Sequence, residues 1–353
     1  MRLTRRTFLA GGLAAVATAH PRELQASDDA KLAAATAEAQ RQIDSGLIRG
    51  AVFARGDSGA VGVVGTQCVS PRKIPLTESS RFDLASVTKT LTASACSLLA
   101  LEGRLDFNAP FTRYLPEHAL GGGCTITILD LAQHVGGFSN AKPYEVADMS
   151  RFWRELMAKR PVRARRSAFE YACYNYILLG KIVERLTGYG LQAFCRDRVF
   201  KPLGMTHIGW GPVADDGRVA QVPWAARTGA ISDETANICT FPVGNAGAFS
   251  PIDDLRRFVS DLVGRRTFPA GFYDQMQTCG WDDGRTRRSF GWDMSKGGRP
   301  DGLSDKAIFH TGFTGQTICA DPGTGFSGVV LTVRIGDHDV AIEGRRRILS
   351  CLV

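Results

Sequence analysis

The chain has 353 residues, of which 44% are hydrophobic and 22% are charged. That length is enough for one large domain or two lobes with sizeable cores, and the composition is ordinary for a globular protein. The net charge is +8, but three arginines and no acidic residue stand among the first nineteen residues. The remaining surplus is small and no dense basic run precedes Arg345–Arg347, so we expect no nucleic-acid partner.

The first nineteen residues have the pattern of an export signal. Arg5 and Arg6 precede an apolar run from Phe8, and Ala17-Thr-Ala19 is similar to a signal-peptide cleavage site. The paired arginines followed by Phe-Leu resemble a bacterial twin-arginine signal. The apolar run is too short to span a bilayer, and no other stretch approaches eighteen apolar residues. The sequence predicts a twin-arginine-type signal peptide over 1–19, a periplasmic or extracellular protein, and no integral membrane span.

Hydrophobic periodicity predicts strands near both ends of the chain and helices between them. The first part shows a helix over 28–46, strands over 51–55 and 61–66 joined by a hairpin turn, and a helix from Ser86 to Gly103. Further helices are predicted from Thr125 onward and over 150–160, 174–187, 192–199 and 251–263. The last part shows strands over 308–310, 317–320 and 327–335, then a closing helix from Asp337.

This order of elements predicts an α+β fold. We expect an antiparallel sheet formed from both ends of the chain, with flanking helices and an inserted, mainly helical lobe. The sheet part would comprise about 28–105 and 303–353, and the lobe about 106–302. Residues 210–245 are rich in Gly, Pro and Trp, and long irregular segments of this kind are often functional.

Three serine–lysine pairs have the spacing Ser-x-x-Lys: Ser70/Lys73, Ser86/Lys89 and Ser139/Lys142. Prolines close behind the first and the third prevent a long helix there. After Ser86 the chain runs without Gly or Pro to Gly103, so Lys89 lies one helical turn from Ser86 on the same face. Helix-end N–H groups and an amine beside a hydroxyl can activate a nucleophile. From this stretch alone, an N-cap serine beside a solvated lysine is an equal alternative.

The sequence predicts no metal site and no cofactor. Its nine cysteines include no Cys-x-x-Cys pair, and no His-Glu-x-x-His motif is present. The odd number leaves at least one free thiol, and the pairing of the others stays open. Gly323-x-Gly325-x-x-Gly328 matches a dinucleotide-binding pattern, but a strand follows it instead of a helix, which indicates a hairpin turn.

Downstream stretches can supply the partners that a nucleophilic serine needs. Acyl transfer needs a second proton carrier near the leaving group and N–H donors for the oxyanion. Tyr171 stands just before a predicted helix, and His310 stands at the end of a predicted strand. A glycine-rich turn over 243–250 precedes the helix that begins near residue 251.

In order and spacing, these motifs resemble the serine β-lactamase and penicillin-binding protein superfamily, in the branch of class C β-lactamases, D-alanyl-D-alanine peptidases and family VIII esterases. Phe82-Asp-Leu-Ala-Ser86-Val-Thr-Lys89 is similar to the family's first motif. Tyr171-Ala-Cys173 stands where Tyr-x-Asn is usual, and His310-Thr-Gly312 where Lys-Thr-Gly or His-Thr-Gly is usual. The resemblance covers most of the chain after the signal and implies a β-lactamase/transpeptidase-like catalytic domain over 28–353.

The resemblance implies an exported serine hydrolase that cleaves an ester, an amide or peptide, or a β-lactam bond through a Ser86 acyl-enzyme. Lys89 and Tyr171 would share the base role, as neutral lysine or as tyrosinate, and Tyr171 would protonate the leaving group. Backbone N–H groups of Ser86 and Phe313 would form the oxyanion hole. The substrate, a small-molecule or peptidoglycan-like acyl compound, would be bound by the remaining motif residues, Cys173, His310, Thr311 and Gly312.

Two residues depart from the family's pattern. Cys173 replaces an asparagine that would bind the substrate amide, and a thiol is a weak donor and acceptor. A small buried filler is the alternative role for Cys173. His310 replaces a lysine, and beside Lys89 we expect its imidazole to be neutral at pH 7. If His310 must be neutral to work with Tyr171, activity should fall as the pH drops through the range in which histidine is protonated. Both departures favour a peptidase or esterase over an efficient β-lactamase.

Several alternatives stay open at this point. A non-catalytic sensor of penicillins or muropeptides would use the same cleft, and Cys173 is the feature that favours it. His134 is predicted to be a structural hydrogen-bonding residue. Trp210 and Trp224 would either line the cleft or pack in the core. The sequence determines neither the natural acyl donor nor the oligomeric state.

Overall fold

The computed structural model describes residues 21–353, except residue 71, residues 141–148 and residue 240. The predicted signal peptide and Lys142 lie outside the described residues. The strands are β1 (Ile48–Arg55), β2 (Val61–Cys68), β3 (Ile74–Pro75), β4 (Phe82–Asp83), β5 (Gly209–Trp210), β6 (Ala248–Ser250), β7 (Trp281–Asp282), β8 (Arg287–Arg288), β9 (Ile308–Thr311), β10 (Gln316–Asp321) and β11 (Phe326–Arg334).

The α-helices lie mainly between β2 and β9, with one at each end of the chain. They are α1 (Pro21–Asp44), α2 (Thr88–Leu101), α3 (Ile128–Ala132), α4 (Met149–Ala158), α5 (Cys173–Thr187), α6 (Leu191–Cys195), α7 (Lys201–Leu203), α8 (Glu234–Ile238), α9 (Ile252–Gly264), α10 (Ala270–Gln277) and α11 (His338–Leu352).

The main sheet has six antiparallel strands in the order β3-β2-β1-β11-β10-β9. Its central pair joins the two ends of the chain, with Val52 opposite Leu331. The predicted α+β fold, with a sheet built from both ends and helices between them, is therefore confirmed. The domain boundaries themselves stay a prediction.

Both faces of this sheet are covered, and the side chains of β1 show how. Ala51 and Phe53 pack in a cluster with residues of α1 and α11, whereas Val52 and Ala54 pack in the larger cluster that includes the helical lobe. Successive strand residues point to opposite faces, so a strand buried on both faces has an almost continuous apolar run. The run in β11 is fully buried for the same reason.

Helix α2 runs through the centre of the molecule. Its residues from Thr88 to Leu99 are all buried, and it lies against α5, α6 and α10. A helix enclosed on all sides gives a rigid support to whatever stands at its N-terminus. Ser86 stands there, in a 3-10 turn over Ala85–Val87 that leads directly into α2.

Some elements differ from the sequence prediction. The helix expected from Thr125 is only α3, where Thr127 Oγ1 accepts the N–H of Asp130 and the Asp130 carboxylate accepts the N–H of Thr127. It cannot extend further because His134 has a φ of 59°, in the left-handed region. The helix predicted over 192–199 is α6 followed by a π-helical turn over Arg196–Phe200.

The hairpin turn that the sequence predicts around Gly323 is confirmed. The segment around Gly323 is the turn of the β10–β11 hairpin. All nine cysteines lie in the described residues and are free thiols. Among the described helices, none is long and apolar enough to cross a membrane. The described part of the chain also has no group of three His, Cys, Asp or Glu side chains placed to hold a metal ion.

Candidate active site

The turn that carries Ser86 has an unusual backbone. Ala85 has a φ of 43°, a value that a non-glycine residue adopts only when its surroundings hold it there. Asp83 is buried and provides this restraint, because its carboxylate accepts the N–H of Ala85 at 2.9 Å and the N–H of Ser232 at 2.8 Å. Asp83 therefore ties the Ser86 turn to the 210–245 segment.

Lys89 projects from the first turn of α2 toward Ser86 and is fully buried. Its Nζ donates to Ser86 Oγ at 2.9 Å, to the carbonyl oxygen of Asn245 at 2.9 Å and to Cys173 Sγ at 3.5 Å. Three acceptors match the three N–H bonds of an ammonium. The alternative of a solvated lysine beside a capping serine is therefore wrong.

Tyr171 completes the group around the serine. Its hydroxyl donates to Ser86 Oγ at 2.8 Å, so this one oxygen contacts both Lys89 and Tyr171. The ring of Tyr171 lies 4.5 Å from the ring of His134, centroid to centroid. His134 Nδ1 accepts the N–H of Ala172 at 3.2 Å. The structural role predicted for His134 is thus confirmed, and its effect is to position Tyr171.

The electrostatics of the pair favour phenol and ammonium at rest. Burial raises the pKa of Tyr171, and the positive charge of Lys89 offsets this only in part. Burial opposes the charged form of Lys89, yet the pKa of Lys89 lies above its ordinary value because Cys173 and Tyr171 favour the ammonium. A base exists only after the Lys89–Tyr171 pair has lost one proton. The pKa of that step describes the two coupled residues together and not either residue alone.

Cys173 is the first residue of α5 and faces the site. Its Sγ contacts Lys89, its N–H donates to Asn140 Oδ1 at 2.9 Å, and the residue is half-buried. It is therefore not a filler inside the core. It contacts Lys89 but is not among the residues that line the cavity beside Ser86.

His310, Thr311 and Gly312 lie at the end of β9. The Nδ1–H of His310 donates to the carbonyl oxygen of Thr311 at 3.0 Å. Burial and the charges of Lys89 and Arg288 lower the pKa of His310 to about 3. The expected neutral imidazole is confirmed, but the pH at which it becomes protonated lies far below the ordinary histidine range.

Gly312 is required by close packing between β9 and the residues before Ser86. A Cβ on Gly312 would lie 2.5 Å from the carbonyl oxygen of Leu84, which is closer than van der Waals contact allows. The N–H of Gly312 donates to the carbonyl oxygen of Gln316 at 2.7 Å in the turn after β9. This turn carries Phe313, the residue predicted to supply the second oxyanion donor.

A cavity of about 320 Å³ is lined by several of the residues described above. Ser86, Tyr171, His310, Thr311 and Phe313 line it, and further lining residues that the sequence did not indicate are Phe169, Arg288, Asp293, Phe309 and His338.

The two tryptophans considered for the cleft have different environments. Trp210 is buried and its Nε1–H donates to the carbonyl oxygen of Val243 at 3.0 Å, so it packs in the core. Trp224 is exposed and contacts the ring of Phe313 beside the cavity.

Some contacts in the site have little or no signal in the sequence. Asn245 lies in the glycine-rich turn singled out above but acts through its backbone carbonyl, which no side-chain pattern reveals. Asp83 lies inside the first motif, and a carboxylate before an apolar turn was a usable signal. Arg288 and Asp293 form an ion pair at 2.9 Å, and they are distant in sequence from every motif.

The family model described as Beta-lactamase matches residues 32–351. A β-lactamase of Escherichia coli (strain K12) is 27% identical over 230 residues, which are 63% of this chain and 59% of that protein. A putative D-alanyl-D-alanine carboxypeptidase of Salmonella gallinarum is 28% identical over 156 residues, or 40% of this chain and 36% of that protein. The chain thus spans less than two thirds of the length of these curated relatives.

A solved structure extends the likeness to the whole fold. EstCE1, a hydrolase with promiscuous acyltransferase activity, matches 92% of this chain and 100% of its own with a TM-score of 0.76 and 19% identity. This likeness concerns the fold, which is β-lactamase/transpeptidase-like. Since the family model also covers nearly the entire described chain, the protein belongs to the β-lactamase family, within the serine β-lactamase and penicillin-binding protein superfamily.

Proposed function

We propose that the protein is a serine hydrolase that cleaves an ester or an amide bond through an acyl-enzyme on Ser86. One observation carries the proposal: Ser86 Oγ accepts hydrogen bonds from Lys89 Nζ at 2.9 Å and from Tyr171 Oη at 2.8 Å. A nucleophile within hydrogen-bond reach of a base and of a second proton carrier is the minimum equipment for covalent acyl transfer. The relatives named β-lactamase, carboxypeptidase and hydrolase support the same reaction class.

Acylation would begin once the Lys89–Tyr171 pair has lost one proton. Ser86 Oγ gives its proton to the pair and attacks the substrate carbonyl carbon, so that a C–O bond forms and the carbonyl oxygen becomes an oxyanion. The N–H groups of Ser86 and Phe313 would stabilise that charge. As the bond to the leaving group breaks, Tyr171 returns the proton to the leaving oxygen or nitrogen. Water then gives a proton to the same pair and attacks the acyl carbon. As the bond from that carbon to Ser86 Oγ breaks, the pair returns the proton to Ser86 Oγ and the acid product leaves.

Two features of the site favour esters or peptides over β-lactams. Cys173 offers only a weak donor and acceptor to a substrate amide. His310 is neutral over the working pH range, so it anchors a substrate carboxylate less strongly than a charged lysine would. We therefore expect short p-nitrophenyl esters or D-alanyl-D-alanine peptides to be turned over faster than nitrocefin.

A covalent probe tests the nucleophile. A fluorophosphonate should label the wild-type protein, and the Ser86→Ala variant should not be labelled. Ser70→Ala is the matched control, because Ser70 has the same Ser-x-x-Lys spacing but lies outside any helix. Labelling that survives in Ser86→Ala, or is lost in Ser70→Ala, would contradict the proposal.

A second candidate function is a non-catalytic sensor of penicillins or muropeptides. Cys173 is the observation that favours it, because the thiol stands beside Lys89 where the family usually has an amide. A sensor would form a stable adduct on Ser86 with fluorescent penicillin and would turn over none of the three substrate classes. Any sustained turnover that depends on Ser86 excludes it.

We further propose export through the twin-arginine pathway. The support is the sequence of residues 1–19, with Arg5 and Arg6 before an apolar run. Replacing both arginines by lysine should retain the protein in the cytoplasm, whereas the unaltered chain should appear in the periplasmic fraction. Equal export of both forms would contradict this proposal.

A further inference from the structure

Arg345 is a charged side chain that lies wholly inside the protein. It stands on α11, has no exposed surface, and its Nε–H donates to Thr317 Oγ1 on β10 at 2.9 Å. Its Nη1 and Nη2 atoms have no hydrogen-bond partner in the described part of the chain. Burial and the charge of Arg334 lower the pKa of Arg345 to about 9, so the guanidinium is still positive at pH 7. A buried charge is strongly unfavourable unless it is paired.

The protein itself offers no counter-charge to Arg345. No carboxylate of a described residue accepts a hydrogen bond from its guanidinium. Two acidic side chains of this region are engaged elsewhere, because Asp337 accepts backbone N–H groups at the start of α11 and Glu343 pairs with Arg346. By contrast Arg256, a buried arginine of α9, donates to three backbone carbonyl oxygens and to an aspartate of the same helix.

His338 provides a second unpartnered group near Arg345. The two residues are seven apart on α11 and share one face of the helix, with the small Ala341 between them. Helical side chains lean toward the N-terminus, so the Arg345 guanidinium extends toward His338. The Nδ1 atom of His338 is buried and also lacks a hydrogen-bond partner among the described residues. Burial and the charges of Arg334 and Arg345 lower the pKa of His338, so its imidazole is neutral at pH 7 and can donate one N–H.

The surroundings of these donors are positively charged. Arg334 is also buried, and its Nε–H and Nη1 donate to the uncharged carbonyl oxygens of Phe313 and Gly336. A water molecule could accept hydrogen bonds from Arg345 and His338, but it would not neutralise the charge. An anion does both. Because Arg345 has no exposed surface, the anion must be small enough to be enclosed by the protein.

We propose that Arg345, His338 and Thr317 form a buried binding site for a small monovalent inorganic anion, such as chloride, between α11 and β10. The Thr317 hydroxyl accepts the Nε–H of Arg345 and can donate its own O–H to the anion. The site lies behind the wall of the active-site cavity, since His338 lines that cavity and Thr317 pairs with Thr311 at the end of β9. The bound anion neutralises Arg345 and fastens α11 to the sheet. This inference does not depend on the proposed hydrolase function.

The first test measures thermal unfolding in sodium chloride and in sodium gluconate at the same ionic strength, because gluconate is too large to be enclosed. Above the Kd, each tenfold rise in chloride should raise Tm by about 2 °C, the shift expected when a ligand binds only the folded state of a protein of this size. Bromide should act as chloride does. Equal Tm values in chloride and in gluconate would overturn the proposal.

Two variants locate the effect. Arg345→Met removes the charge and keeps a long apolar stem, so it should abolish the chloride dependence of Tm, whatever it does to Tm itself. Arg256→Met is the matched control, because it removes a buried arginine whose partners all belong to the protein, and it should keep the wild-type chloride dependence. A dependence that survives in Arg345→Met, or is equally lost in Arg256→Met, would refute the assignment to this site.

A diffraction measurement stays decisive if a variant fails to fold. Crystals of the wild-type protein grown in sodium bromide should show an anomalous-scattering peak in contact with the Nη atoms of Arg345 and with Nδ1 of His338. The absence of a peak at this position, with or without bromide elsewhere, would overturn the proposal. Neither measurement involves Ser86, so a failure of the hydrolase proposal would leave both results interpretable.

Discussion

Replacing Tyr171 by phenylalanine removes one hydroxyl from the reacting atoms and keeps the ring. The lost hydroxyl donates to Ser86 Oγ at 2.8 Å, whereas the ring retains its 4.5 Å contact with His134. A positioned proton carrier contributes a factor of about 10²–10⁴ to the rate. We therefore expect kcat for a p-nitrophenyl ester to fall by that factor, which is about 3–5 kcal/mol of activation free energy. KM should change little, because the hydroxyl acts mainly on the transition state.

The matched control for this change is Tyr176→Phe. Tyr176 is buried, lies 5.9 Å from Lys89 Nζ at its ring centre, and donates to the carbonyl oxygen of Ala132 at 2.9 Å. Loss of the Tyr176 hydroxyl should lower the free energy of unfolding by about 1 kcal/mol and leave kcat within about threefold of wild type. Steady-state kinetics beside urea unfolding separate the two effects. A Tyr171→Phe enzyme with kcat within about tenfold of wild type would refute the role that we assign to the hydroxyl.

Three other changes have defined outcomes. Gly312→Ala places a Cβ 2.5 Å from the Leu84 carbonyl oxygen. We therefore expect the free energy of unfolding to fall by about 1–3 kcal/mol and fluorophosphonate labelling of Ser86 to slow. Labelling at the wild-type rate would show that β9 adapts without cost. Asp83→Ala leaves two backbone N–H groups without their acceptor, so urea unfolding should show a loss of about 2–5 kcal/mol, and a loss below about 1 kcal/mol would contradict the restraint assigned to this carboxylate. Burial lowers the pKa of His118 to about 4, so between pH 6.5 and pH 4 the unfolded chain binds more protons at this residue and stability falls as the pH falls, by up to about 2 kcal/mol at pH 5. His118→Gln should make the stability difference between pH 7 and pH 5 smaller by that amount, and an unchanged difference would locate the acid sensitivity elsewhere.

Elements whose pattern is long and repeated were predicted well from the sequence. The buried runs of β1 and β11 and the uninterrupted apolar pattern of α2 gave their type and approximate bounds. The two-residue strands β3, β4, β5, β7 and β8 were missed, because a two-residue strand has no periodicity and is defined only by its partner. The length of α3 was overestimated, because the left-handed backbone of His134 is imposed by its tertiary contacts and not by its residue type.

The site was predicted in part for similar reasons. Ser86, Lys89 and Tyr171 were found through their spacing and the family resemblance, and the structure brings them together. The Ser-x-x-Lys spacing itself did not distinguish Ser86 from Ser70. The prolines close behind Ser70 made that distinction. The contacts of Lys89 with the Asn245 carbonyl oxygen depend on how a loop folds over α2, which is information that only the three-dimensional structure contains.

The pairing of β1 with β11 has a consequence for the order of folding. Val52 is synthesised long before Leu331, yet the two residues are neighbours at the centre of the sheet. Contacts so distant in sequence carry a large loop-closure cost, and chains dominated by such contacts fold slowly. The helices between them can form local contacts while the chain is still growing on the ribosome, but the central sheet cannot close until β11 is available. Until then β1 offers an unpaired apolar edge, and a ribosome stalled before residue 326 would leave this edge open to chaperones or to aggregation.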